Sequence, residues 1–244
     1  ITGAGSGIGY AMAKEFSNAG ASVIVNDLND IGFEIADELN GRFLKADLSN
    51  MDATRFMCQQ ALDLDGKVDI LINNAGLQQI APVDEFPDDV WENMIRVMLT
   101  APFQTIKYLI PKMKSNGWGR IINISSIHGL VASPYKVAYN SAKHGLIGLT
   151  KTVALEVGEY GITVNAICPG YTRTPLVEAQ ISDQAAVHGI SRQQVLDKIM
   201  LESAAIKRLI DPTEIAKLAL FLASDDARSI TGSAYPIDLG WVAR

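Results

Sequence analysis

Tyr139 and Lys143 stand four residues apart in Tyr-Asn-Ser-Ala-Lys, with Ser126 thirteen residues upstream. On a helix, positions i and i+4 share a face, so the phenol and the ammonium point into the same space. A phenol with an ordinary pKa of about 10 is a poor proton carrier at neutral pH. Lowering it to about 7 takes about 4 kcal/mol of preferential phenolate stabilisation, which an adjacent fixed cation supplies. The pair therefore reads as a tuned general acid/base. Ser126 taken alone reads as a strand-end hydroxyl that satisfies backbone groups.

A second constellation opens the chain. Thr2-Gly3-Ala4-Gly5-Ser6-Gly7-Ile8-Gly9 places four glycines where a strand should turn into a helix. Glycines let the backbone turn tightly and approach a pyrophosphate, whose charge the helix N-terminus then meets. Gly3, Ser6, Gly7, Ile8 and Gly9 are the candidate contacts. A glycine-rich turn is a weak sign by itself. Asp27 strengthens it, because it ends the next strand roughly 20 residues on, where a carboxylate accepts hydrogen bonds from ribose hydroxyls. The same charge repels a 2′-phosphate, so NAD is expected rather than NADP.

The elements that must position these groups alternate along the chain. Ser22–Asn26, Arg42–Ala46, Asp69–Asn73, Arg120–Ile124, Thr163–Cys168 and Ala234–Ile237 read as buried strands. Ile8–Ala19, Asp30–Leu39, Met51–Leu62, Asp88–Lys114, Val137–Tyr160 and Thr213–Ala223 read as helices. Strict alternation implies βαβ units and a parallel sheet with helices on both faces, in one domain spanning 1–244. The glycine loop should follow a buried strand, and the sequence begins on the loop, so the first strand reads as truncated. Residues 175–207 interrupt the rhythm with a helical pattern after a strand end, where an α/β sheet carries its ligand crevice and a lid.

Composition narrows the classes. The chain has 244 residues, 48% hydrophobic and 20% charged, which suits a globular α/β domain. A formal charge of −6, with no Lys/Arg run, argues against a nucleic-acid partner. No apolar run is long enough for a membrane span. Cys58 and Cys168 are too few for a disulfide framework or a zinc site, no metal centre is expected, and the cytoplasm is the simplest location.

Together, Thr-Gly-x-x-x-Gly-x-Gly, Asn73-Asn74-Ala75-Gly76, Ser126, Tyr139-x-x-x-Lys143 and Pro169-Gly170 resemble the short-chain dehydrogenase/reductase family along the whole chain. The resemblance implies a Rossmann-type doubly wound sheet, a nicotinamide cofactor and a homotetramer. It implies that Tyr139 exchanges a proton with the substrate oxygen, that Ser126 hydrogen-bonds that oxygen, and that Lys143 binds the nicotinamide ribose. Asp47 and Leu48 would contact adenine. Asn74, with Ala75 and Gly76, would line the cofactor, as would Pro169 and Gly170, and Thr172 with Thr174 would take the carboxamide.

A narrower resemblance lies in Gly119–Ile124, His128–Ser133, Ile167–Gly170, Thr174–Val177 and Gly240-Trp241, which are similar to the 3-hydroxybutyrate dehydrogenases. It implies a small hydroxy-acid substrate held by Gln78, His128, Lys136, Gln180 and Trp241, besides Ser126 and Tyr139. A carboxylate in a closed site must meet a cation or several donors. Lys136, three residues before Tyr139, reaches the same pocket, although alone it reads as a solvated loop lysine. His128 reads equally as a structural hydrogen-bonder, while His144 and His188 receive no role. The expected reaction is NAD-dependent oxidation of (R)-3-hydroxybutyrate. Another small hydroxy acid, sugar or alcohol is the alternative, and a non-catalytic NAD sensor a more distant one.

One position departs from the family. Met98 stands where many members have a helical asparagine that helps hold a proton-relay water, unless Asn93 is the true counterpart. Methionine offers only a weak thioether acceptor, so the main-chain carbonyl of Met98 is expected to hold the water.

Overall fold

The computed structural model describes residues 1–243, apart from the side chains of residues 183, 187 and 188, so the expectation for His188 lies outside the described residues. Among the described residues six parallel strands form, β1 (Ile24–Asp27), β2 (Arg42–Lys45), β3 (Ile70–Asn73), β4 (Gly119–Ile124), β5 (Ile162–Pro169) and β6 (Ala234–Ile237). β1 pairs with β2, and β3 to β6 run in sequence order. Ile1 and Thr2 lie between the two groups: Thr2 bridges Asn26, its N–H donates to the Ile72 carbonyl at 3.0 Å, and Asn26 N–H donates to the Ile1 carbonyl at 3.0 Å. The spatial order β2-β1-(1–2)-β3-β4-β5-β6 is that of an open doubly wound sheet.

Alternate strand residues feed two apolar cores, as the two-residue period of a strand demands. Val25, Ile72, Ile122, Ile124 and Ile167 pack beneath α1 (Gly7–Asn18), α2 (Ile31–Glu38) and the C-terminal helix Pro212–Ala223. Leu71, Ile121 and Val164 face α3 (Met51–Asp65) and two long helices on the other side. β4 and β5 are buried at every position, so apolar residues dominate both, with Arg120, Asn123, Thr163 and Asn165 as buried polar members. A buried polar chain crosses this core: Thr105 donates to Asn73 at 2.7 Å, Asn73 to Asn123 at 2.9 Å, and Asn123 to Thr150 at 2.9 Å.

Two expectations need correction. The segment expected as one helix, Asp88–Lys114, is α4 (Asp88–Ile95), a π-helical turn (Arg96–Thr100) and α5 (Ala101–Asn116). Pro102 has no N–H, so the ladder cannot run regularly through this point, and one wide turn absorbs the fault. The strand expected at Ser22–Asn26 begins at Ile24. Beyond it, α6 (Val137–Val157) carries Tyr139 and Lys143. The insertion 175–207 folds as α7 (Pro175–His188), α8 (Arg192–Val195) and a second π-helical turn, Leu196–Met200. It closes over its own small core of Val177, Ile181, Val195, Met200, Leu201 and Leu209. The last helix, α9, is Pro212–Ala223, capped by Asp211.

Candidate active site

The glycine loop is clamped from behind. Asn74 donates to the carbonyls of Thr2 and Gly3, both at 3.0 Å, while Thr2 Oγ1 accepts from the N–H groups of Asn74 and Ala75. Gly3 takes φ 61°, and a Cβ there would stand 2.8 Å from the Ala75 Cα. At Gly9 a Cβ would fall 2.2 Å from the Gly3 carbonyl oxygen. These contacts hold the loop against the start of α1, where positive dipole and unpaired amides gather. Asp27 ends β1 and accepts from Gly5 N–H at 2.9 Å and Asn29 N–H at 3.0 Å. Its carboxylate is thus fixed at the rim of the loop.

Ser126 follows β4 in extended backbone and caps a short turn by accepting from His128 N–H at 3.1 Å. Tyr139 and Lys143 stand one turn apart on the face of α6 turned to it. Ser125 fastens that helix to β4, donating to the Lys143 carbonyl at 2.9 Å. Lys143, 3% exposed, donates from Nζ to the Ile124 carbonyl at 2.7 Å and lies 5.6 Å from the Tyr139 ring centroid.

The electrostatics differ from the sequence expectation. Burial pushes the Tyr139 phenol up, and the Ser126 hydroxyl pulls it partly back. Burial also pushes the Lys143 ammonium down to about 8. In the chain alone the lysine does not poise the phenol near neutrality, because its nearest partner is a backbone carbonyl and both groups have lost their water. Met98 is 1% exposed, and the position above Gly76 lies 3.6 Å from its sulfur and 3.8 Å from Lys143 Nζ. Pro102 has no N–H to donate into the π-helical turn that carries Met98. Asn93 sits a turn earlier, on the wall of the cavity.

Beyond Tyr139, Lys136 is 9% exposed, with Nζ 3.5 Å from both His128 Nε2 and the Tyr171 hydroxyl. Both contacts are long, and among the described residues no carboxylate pairs with it. Burial pushes its ammonium below the usual lysine value. Burial first, and Lys136 second, push His128 down to about 4, so that imidazole is neutral at pH 7. Trp241 stands edge-on to His128, with centroids 5.7 Å apart.

One cavity of about 650 Å³ joins these parts. It runs from Asp27, Asp47 and Leu48, past Ser6, Gly7 and Ile8, to Ser126, Tyr139 and Gln180. Gly3, Asn74, Ala75, Gly76, Gln78, His128, Lys136, Lys143, Pro169, Gly170, Thr172 and Thr174 also line it. Two expected residues do not. Gly9 sits behind the loop, where its missing side chain permits packing, and Trp241 packs edge-on against His128. Tyr171 lines the wall and was not foreseen, nor was the role of the Ile124 carbonyl. A tyrosine after Pro-Gly carries no motif, and a backbone carbonyl leaves no mark in sequence. Among the described residues no acidic, histidine or cysteine group could hold a metal ion, and no helix is long and apolar enough to cross a membrane.

Comparison with known proteins agrees with this geometry. A family model described as enoyl-(acyl carrier protein) reductase matches residues 3–242. The D-beta-hydroxybutyrate dehydrogenase of Rhizobium meliloti is 48% identical over 252 residues, covering 100% of this chain and 98% of that protein. The protein of the same name from Cupriavidus necator is 42% identical, covering 100% and 97%. Uncharacterized oxidoreductase YxjF of Bacillus subtilis is 46% identical, again covering 100% and 97%. Among solved structures, ribose-5-phosphate isomerase from Brucella melitensis superposes with a TM-score of 0.90 at 33% identity, covering 99% of this chain and 90% of that one. One fold hosts many chemistries, so that title carries no activity across.

Proposed function

The chain belongs to the short-chain dehydrogenase/reductase family, and we propose that its reaction is the reversible, NAD-dependent oxidation of (R)-3-hydroxybutyrate to acetoacetate. The observation that carries the substrate is Lys136, a buried ammonium without a carboxylate partner among the described residues, facing the cavity one helical turn from Tyr139. An unpaired buried charge is costly, and a substrate carboxylate relieves it. Gln78, Gln180 and neutral His128 add donors around the same point.

The residues present fit a dinucleotide. The glycine cradle leaves no room for a Cβ at Gly3 or Gly9, the start of α1 faces the cavity, and Asp27 opposes a 2′-phosphate. Bound NAD supplies the hydride acceptor. Ser126 fixes the substrate hydroxyl by hydrogen bonding, and Tyr139 takes its proton as the phenolate, the form that the cationic charges of Lys143 and of a bound nicotinamide ring favour against the burial of the phenol. Lys143 returns that proton towards solvent through a water held at the Met98 carbonyl. The insertion 175–207 acts as the lid of the site in a one-domain protein. The reading includes a homotetramer working in the cytoplasm; exposed Leu155 on α6 and Phe103 on α5, at 88% and 48%, support an assembly.

Tyr139→Phe tests the catalytic assignment. The variant is expected to lose about 10²–10⁴ in kcat, the span of general acid–base catalysis, while binding NADH as before. Retained turnover would sink it.

A further inference from the structure

Tyr171 directly follows Pro169-Gly170, and no sequence motif singles it out. Its backbone is locked, with its carbonyl accepting from Ile210 N–H at 3.0 Å while neighbouring Thr172 bridges Ile210. The ring packs against the small core of the insertion, which includes Val177, Ile181 and Leu209. From that core the side chain reaches the cavity, where its hydroxyl accepts from Lys136 Nζ at 3.5 Å. The same ammonium lies 5.5 Å from the ring centroid, within range of a cation–π attraction. A phenol has one donor besides its lone pairs, and among the described residues the Tyr171 O–H has no acceptor. Burial, and Tyr139 after it, push this phenol up, so it carries its proton throughout the neutral range.

We propose that the Tyr171 hydroxyl is a specificity group for the acid end of the substrate, donating to the same carboxylate that Lys136 pairs with. The inference rests on the hydroxy-acid reading and deepens it. A carboxylate has two oxygens and about four acceptor sites, more than one ammonium fills. An O–H···O⁻ bond is short and about twice as strong as a neutral one. The ring adds a second effect, holding the ammonium on the cavity side. Tyr171 thereby couples the lid core to the anion that enters beneath it.

Tyr171→Phe separates these parts, since it keeps the ring and its packing and removes one hydroxyl. With (R)-3-hydroxybutyrate and NAD, the variant is expected to raise the KM of the acid about tenfold, the weight of one hydrogen bond to a charged group. The kcat and the KM for NAD should stay within about twofold. An unchanged acid KM overturns the proposal. So does a loss in which kcat and the KM for NAD move together with it, since that marks damage to the fold. A wild type inactive on (R)-3-hydroxybutyrate overturns the substrate reading as well, and shows itself before any variant is compared.

Discussion

Replacing Lys136 with methionine should move two assays in opposite directions. In the protein without ligands this ammonium is 9% exposed, has no carboxylate partner among the described residues, and touches only His128 and Tyr171 at 3.5 Å. Little bonding is therefore lost, and an uncompensated buried charge disappears. The gain is about 1 kcal/mol, the usual scale on which functional residues trade stability for activity. For a chain of this size that is about 2–4 °C in Tm, readable by calorimetry. The KM for (R)-3-hydroxybutyrate should meanwhile rise about ten- to a hundredfold, because a hydrogen bond to a charged group is worth about 1.5–3 kcal/mol. The KM for NAD should stay put. A lower Tm with an unchanged acid KM would refute the reasoning, placing Lys136 among structural residues.

Three further outcomes follow from the same geometry. Asp27→Asn keeps an acceptor for Gly5 N–H but loses the charge, so NADH should bind roughly tenfold more weakly and NADPH be less strongly refused; fluorescence titration reads both. Lys143, held at about 8 against an ordinary 10.5, binds fewer protons folded than unfolded between those values. Its contribution to stability therefore rises with pH across that window, by about 3 kcal/mol in all. Urea unfolding at pH 7.5 and 10 should show the wild type gaining on Lys143→Met, and parallel behaviour would contradict the burial argument. Met98→Asn should leave kcat within about threefold, since the proposed water is held by the main chain of residue 98 and not its side chain; a large rise would assign that task to the side chain.

The legible parts of this molecule are those set by local rules. Tyr139 and Lys143 announce a shared helix face by spacing alone, and Asp27 by its place after a strand. β4 and β5 show as mainly apolar runs because both faces are buried. The π-helical turn at Arg96–Thr100 was hidden, since Pro102 and Pro111 both fall in this helical stretch and neither tells which turn widens until the register is known. The direction of the Tyr139 shift was hidden for another reason. Spacing puts the cation near the phenol, but it does not report that burial acts on both groups or that Lys143 reaches first for the Ile124 carbonyl. Tyr171 at the cavity wall and the edge-on packing of Trp241 against His128 are likewise products of packing, which spacing in the sequence does not report.

The central claim is a hydride taken from one short hydroxy acid under the control of Tyr139 and Lys136. Absorbance of NADH, followed with the purified protein, (R)-3-hydroxybutyrate and NAD, tests it most directly. The account predicts steady NADH formation with that pair, little with the (S) isomer, and little with NADP. No NADH from (R)-3-hydroxybutyrate, with turnover of a neutral alcohol in its place, would contradict it.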